Sequence, residues 1–110
     1  MIRWLTEDVA VAGQIRASDV THVAAMGFKS IMCNRPDGEA PGQPVFSEID
    51  KAAETIGMDT RFVPVISGQA TRTDVEKFAA ALSELPKPVL VYCRSGTRSA
   101  HLSMAAQSLR

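Results

Sequence analysis

Opposite charges cancel in this chain, with 12 Lys and Arg against 12 Asp and Glu in 110 residues. No positive excess is present to attract a phosphate backbone or an anionic bilayer, which excludes nucleic acid and membrane as main partners. No apolar stretch approaches the roughly 20 residues a membrane-spanning helix needs, and Met1 to Ala10 has no secretory-signal pattern. Cysteine is scarce. Cys33 and Cys93 alone build no disulfide framework, so a reduced, cytoplasmic setting is expected. Aromatics make up only 5% of the chain. Trp4, Phe28, Phe46, Phe62 and Phe78 are scattered and read as core or packing residues. Gly96 is a lone loop glycine without the G-x-G nucleotide pattern, and His22 and His101 make no metal spacing with the cysteines. No cofactor and no metal are expected. Repeats, low-complexity tracts and linkers are missing too, and the length suits one domain over 1–110, either whole or trimmed from a larger protein.

What the chain does have is Val89-Leu90-Val91-Tyr92-Cys93-Arg94-Ser95-Gly96-Thr97-Arg98-Ser99. Val89 to Tyr92 reads as a buried strand after Pro86-Lys87-Pro88. Ser99 to Leu109, free of Pro and Gly, reads as a helix. The loop between them therefore lies at a helix N-terminus, where unpaired N–H groups and the helix dipole favour an anion. A thiolate there has a depressed pKa, which marks Cys93 as a nucleophile. Arg98 offers a planar fork to an oxyanion, and Ser99 can steady the sulfur by a hydrogen bond. Arg94, Ser95, Gly96 and Thr97 form the substrate-binding loop, with Gly96 allowing close backbone approach.

The remaining punctuation places the other elements. Asp8 to Ala12 reads as a strand, with another at Ile2 to Leu5 and a turn at Gly13-Gln14. Ser18-Asp19 caps a helix running to Met26, which Gly27 stops. Lys29 to Asn34 is a strand, and Arg35 to Pro44 a Pro- and Gly-rich loop. Ser47 starts a helix, with Asp50 at its capping-box position, ending at Gly57. Thr60 to Val65 is a strand, followed by a loop over Ser67 to Thr71. Thr73 caps a helix to Leu85, with Glu76 at its box position. Alternating strands and helices imply an α/β fold: a mostly parallel sheet of four to five strands with helices on both faces. Ligands bind at the carboxyl ends of such strands, so the loops 35–44, 66–71 and 93–98 should meet at one site.

Three further residues are candidate accessories. Arg35 could add positive charge. Asp37, like Glu39 on the same loop, could serve as an acid. Cys33, near a strand end, could resolve an oxidised or persulfurated Cys93 as a disulfide. His101 is expected to point away from the loop.

Val11-Ala12-Gly13-Gln14, Asn34-Arg35-Pro36-Asp37-Gly38-Glu39, Pro64-Val65-Ile66-Ser67-Gly68-Gln69 and Tyr92 to Ser99 together resemble the bacterial beta-lactamase hydrolase-like family, across nearly the whole chain. The resemblance implies a fold related to the dual-specificity phosphatases, which is cysteine-phosphatase-like. It also implies occurrence alone or fused to metallo-β-lactamase-type or sulfide-oxidising flavoprotein domains, with either phosphatase or sulfurtransferase activity. Cysteine phosphatases place one residue more between Cys and Arg than the Arg94-Ser95-Gly96-Thr97 found here, and YCRSGTRS is similar to the loop of single-domain rhodaneses. Dual-specificity phosphatases carry an acidic residue on the loop that corresponds to Ile66 to Thr71, which has none here. Sulfur transfer needs no general acid. On these two counts the sequence favours a rhodanese-like sulfurtransferase. Cys93 would form a persulfide from thiosulfate or a low-molecular-weight persulfide, with sulfide-oxidising enzymes as partners. The alternative is a phosphatase hydrolysing a phosphoester through a phosphocysteine. A binding module that holds a small anion without chemistry is a third class.

Overall fold

A computed structural model describes residues 2–109. Five strands, β1 (Arg3–Trp4), β2 (Val9–Ala12), β3 (Ser30–Cys33), β4 (Asp59–Phe62) and β5 (Val89–Tyr92), form one sheet in the order β1-β2-β5-β3-β4. All pairings are parallel except β1 with β2. β5 is central, with Tyr92 opposite Ala12 on one side and Cys33 on the other. The α/β expectation holds.

β2, β3 and β5 are buried on both faces, which is why they read as unbroken apolar runs. Alternate side chains feed two cores. Ala10, Ala12, Ile31, Leu90 and Tyr92 pack against α1 (Val20–Ala25) and α2 (Phe46–Thr55). Val9, Val11, Met32, Val89 and Val91 pack against α3 (Arg72–Glu84) and α4 (Thr97–Gln107). β4 is an exposed edge whose Asp59 and Arg61 discourage pairing with a further strand. Trp4 and Phe62 lie on the surface rather than in a core, stacked on Phe28 and Phe46 respectively.

Helix starts depart from the sequence reading at three places. Ala17–Asp19 is a 3-10 turn before α1, and the Asp19 carboxylate accepts from the Arg16 N–H at 2.8 Å. α2 is capped from a distant loop: Asp37 Oδ1 accepts the Phe46 N–H at 2.9 Å, while Asp50 accepts from the Thr60 hydroxyl. α3 begins two residues earlier than expected. Thr71 Oγ1 accepts from the Asp74 N–H, and Asp74 Oδ2 accepts from the Thr71 N–H in return.

Candidate active site

β5 delivers Cys93 to the carboxyl edge of the sheet, where the Cys93 N–H still bonds the Ala12 carbonyl at 3.2 Å. The chain then turns through Arg94, Ser95 and Gly96 into α4. Gly96 is the N-cap and holds φ at +95°, a left-handed conformation that other residues rarely adopt. Its N–H points back at Cys93 Sγ, 3.1 Å away. Gly13 lets the preceding strand's turn press on the loop: an added Cβ there would lie 2.9 Å from the Arg94 carbonyl oxygen. The Gln14 N–H bonds that same oxygen at 3.2 Å.

The sulfur is buried, which pushes its pKa up. The Ser99 N–H and hydroxyl, then the Gly96 and Ser95 N–H groups, outweigh burial and bring the thiol below its ordinary 9.0. Cys33 behaves oppositely, since burial pushes its thiol up to about 11 and the thiol donates to the Arg35 carbonyl at 3.3 Å. Cys33 shares the α1/α2 core with Tyr92, whereas Cys93, next along β5, turns to the α3/α4 side. The two thiols thus project from opposite faces, and the structure does not aim Cys33 at Cys93.

Arg98 is held at several points. Nη1 donates to the Val65 carbonyl at 2.9 Å and to Glu39 Oε2 at 3.0 Å, and Nη2 donates to Glu39 Oε1 at 3.1 Å. Arg35 Nε holds the same Glu39 Oε1 at 3.0 Å, and Arg35 Nη1 donates to Gln14 Oε1 at 3.1 Å. Arg35 is buried, so its charge acts on Glu39 and not in the open cleft. Hydrogen bonding to Arg98 holds the Glu39 carboxyl below its usual range, against some burial, with Arg35 assisting. The Arg98 Nε–H is buried and has no partner among the described residues. One bidentate edge of the guanidinium is therefore tied to Glu39, while the Nε–H is left without a partner.

The expected meeting of loops is present. A cleft of about 910 Å³ is lined by Glu39, by Val65 to Gly68 and by the Cys93 loop. Its far wall is apolar, from Val75, Leu102 and Ala105. Asp37 and Cys33 do not line it. His101 does, contrary to expectation: it follows Arg98 by three residues and Thr97 by four, which sets all three on one face of α4. That spacing was readable. Asn34, which no local sequence pattern marks, is fully buried, with Oδ1 accepting from the Ser99 hydroxyl at 2.9 Å. Among the described residues no cluster of three or more His, Cys, Asp or Glu could hold a metal.

The sequence profile of the beta-lactamase hydrolase-like protein, phosphatase-like domain, matches residues 1–110. The chain belongs to this family. A beta-lactamase hydrolase-like protein of Agrobacterium fabrum is 38% identical over 105 residues, which is 96% of this chain. The chain spans only 24% of that relative's length. A Neisseria meningitidis Z2491 structure, provisionally classed as a phosphatase, superposes with TM-score 0.86 at 34% identity, covering 99% of this chain and 80% of the other. The core catalytic domain of the PP-IP phosphatase from S. cerevisiae has the same fold, with TM-score 0.72 and 17% identity over 92% of this chain and 60% of the other. These likenesses make the domain phosphatase-like with a cysteine-phosphatase fold. None of them carries the rhodanese assignment that the loop spacing favoured.

Proposed function

We propose that this domain is a cysteine-dependent phosphatase that hydrolyses a phosphomonoester through a phosphocysteine at Cys93. The observation that carries the reading is the free Nε edge of Arg98 beside a stabilised thiolate at a helix N-terminus. In the first step the thiolate attacks phosphorus, the P–O bond breaks, and the leaving oxygen departs as an oxyanion that takes its proton from water. Arg98 and the N–H groups of the 94–98 loop hold the peripheral oxygens, where charge builds up. Water then attacks phosphorus, the S–P bond breaks, phosphate leaves carrying the water's oxygen and protons, and the thiolate is regenerated. The cleft volume supports an organic substrate, being in the range of sites that enclose a drug-sized molecule. Thiosulfate would leave most of it empty. We read residues 1–110 as one domain, because both cores share one sheet, and a reducing, cytoplasmic setting suits a resting thiolate.

Sulfur transfer is the second reading, and sulfide-oxidising partners belong to it alone. It is favoured by the short Cys93-to-Arg98 spacing and by the want of a free carboxylic acid. Asp37 caps α2, Asp74 caps α3, and Glu39 is held ionised by two arginines. A phosphatase so built should depend on substrates whose leaving oxygen needs little help from an acid.

Aryl phosphate hydrolysis and intact-mass analysis separate the two readings. Turnover of an aryl phosphate, lost in Cys93→Ser, with a phosphoryl adduct on Cys93 after rapid quenching, is the expected result. No turnover, with a single added sulfur on Cys93 after exposure to thiosulfate or glutathione persulfide, would establish sulfur transfer instead.

A further inference from the structure

Ser99 carries one hydroxyl proton and faces two acceptors. In this structure the hydroxyl bonds Asn34 Oδ1 at 2.9 Å; the Cys93 sulfur, whose pKa Ser99 lowers, is the competing acceptor. Ser99 and Asn34 are both 0% exposed, so neither can turn to water. Nor can the Asn34 side chain rotate away. Its Nδ2 donates to the Val63 carbonyl at 3.0 Å, and a flipped amide would set oxygen against oxygen there. The Asn34 N–H is fixed on the Tyr92 carbonyl at 2.8 Å. Oδ1 therefore faces Ser99 in every state of the site, and the Ser99 hydroxyl is the one donor it has among the described residues.

We propose that Asn34 is a positioning residue that holds the Ser99 hydroxyl proton while the sulfur is uncharged and releases it to the sulfur when a thiolate forms. A neutral thiol or a substituted sulfur is a weak acceptor, so the proton rests on Asn34. An anionic sulfur attracts a charge-assisted hydrogen bond, and the hydroxyl rotates toward it. No covalent bond changes; Ser99 O–H stays intact. Each rotation leaves Oδ1 without a donor, so Asn34 opposes stabilisation of the thiolate. The sulfur stays more basic than Ser99 alone would make it, and a more basic thiolate is the stronger nucleophile. The inference rests only on Cys93 reacting as a thiolate, and it holds for phosphoryl and sulfur transfer alike.

The decisive experiment follows the Asn34 side-chain carbonyl by carbon-13 NMR while Cys93 is titrated, with ultraviolet absorbance of the thiolate recorded in parallel. In the native protein the Asn34 signal should move with the midpoint of the thiolate. In Cys93→Ser and in Ser99→Ala it should stay flat. A flat Asn34 signal in the native protein across the thiolate transition would overturn the proposal without any appeal to a variant's folding. Asn34→Ala adds a sign. Freed of its competitor, the Ser99 proton should lower the Cys93 pKa by about one unit, and the same change made in Ser99→Ala should move nothing. A pKa that rises in Asn34→Ala, with Ser99 present or absent, would make Asn34 a strut only. Neither readout uses a substrate, so a failed aryl phosphate assay leaves this test intact.

Discussion

An arginine fork has two bidentate edges, and at Arg98 Glu39 occupies one of them. Lysine at 98 would keep the charge and lose both edges at once. Arg98→Lys should lower kcat/KM on an aryl phosphate by about 100-fold or more, with little change in thermal stability, measured by steady-state kinetics beside a melting curve. Glu39→Gln tests what the carboxylate does. As an anchor for Arg98, its loss should lower kcat/KM by about tenfold, evenly across aryl phosphates of differing leaving-group basicity. A loss that steepens with basicity would make Glu39 the proton donor instead. The pH profile follows from the depressed Cys93 pKa. In the proposed mechanism the thiolate is the reactive form, so the ascending limb of kcat/KM should have its midpoint below 9.0. Ser99→Ala removes a lowering hydrogen bond and should move that limb to higher pH.

Among the elements, the turn after β2 bears on the 94–98 loop through Gly13. Gly13→Ala brings a methyl group to 2.9 Å from the Arg94 carbonyl oxygen, and either backbone must move. Activity should fall several-fold while the circular dichroism spectrum stays unchanged; full activity would mean that the loop adjusts freely. The α3 cap offers a contrast. Thr71→Ala should cost about 1 kcal/mol in chemical denaturation. The strands were legible because β2, β3 and β5 are short, apolar and bounded by turn residues, and fully buried strands have that pattern. Cap assignments at Ser47 and Thr73 missed for a physical reason. An N-cap needs an acceptor in space, and for α2 that acceptor is Asp37, nine residues before Phe46 on another loop. Cys93, Arg98 and Ser99 were readable because strand, loop and helix follow one another without interruption. The Asn34–Ser99 and Glu39–Arg98 contacts join residues 65 and 59 positions apart, and local pattern has no access to such pairs.

On the scale of the whole molecule, the sheet is a partition between two cores, with one cysteine turned to each side. Cys33 resists ionisation in the folded state up to about 11, while an unfolded thiol ionises near 9.0. Above 9.0 the unfolded chain therefore holds fewer protons than the folded one, and stability must fall as pH climbs through that interval. Cys33→Ala should lose this part of the alkaline dependence, read as a smaller drop in denaturation midpoint between pH 9 and 11. The same partition gives the protein a built-in counter of folded molecules. Near neutral pH a small soft electrophile carrying a fluorophore should attach to Cys93 before Cys33, because the Cys93 thiol ionises more readily and the Cys33 thiol stays protonated. One dye per folded chain against two on an unfolded chain, whose Cys33 has lost its shelter, would let the folded fraction of any preparation be counted before a natural substrate is known.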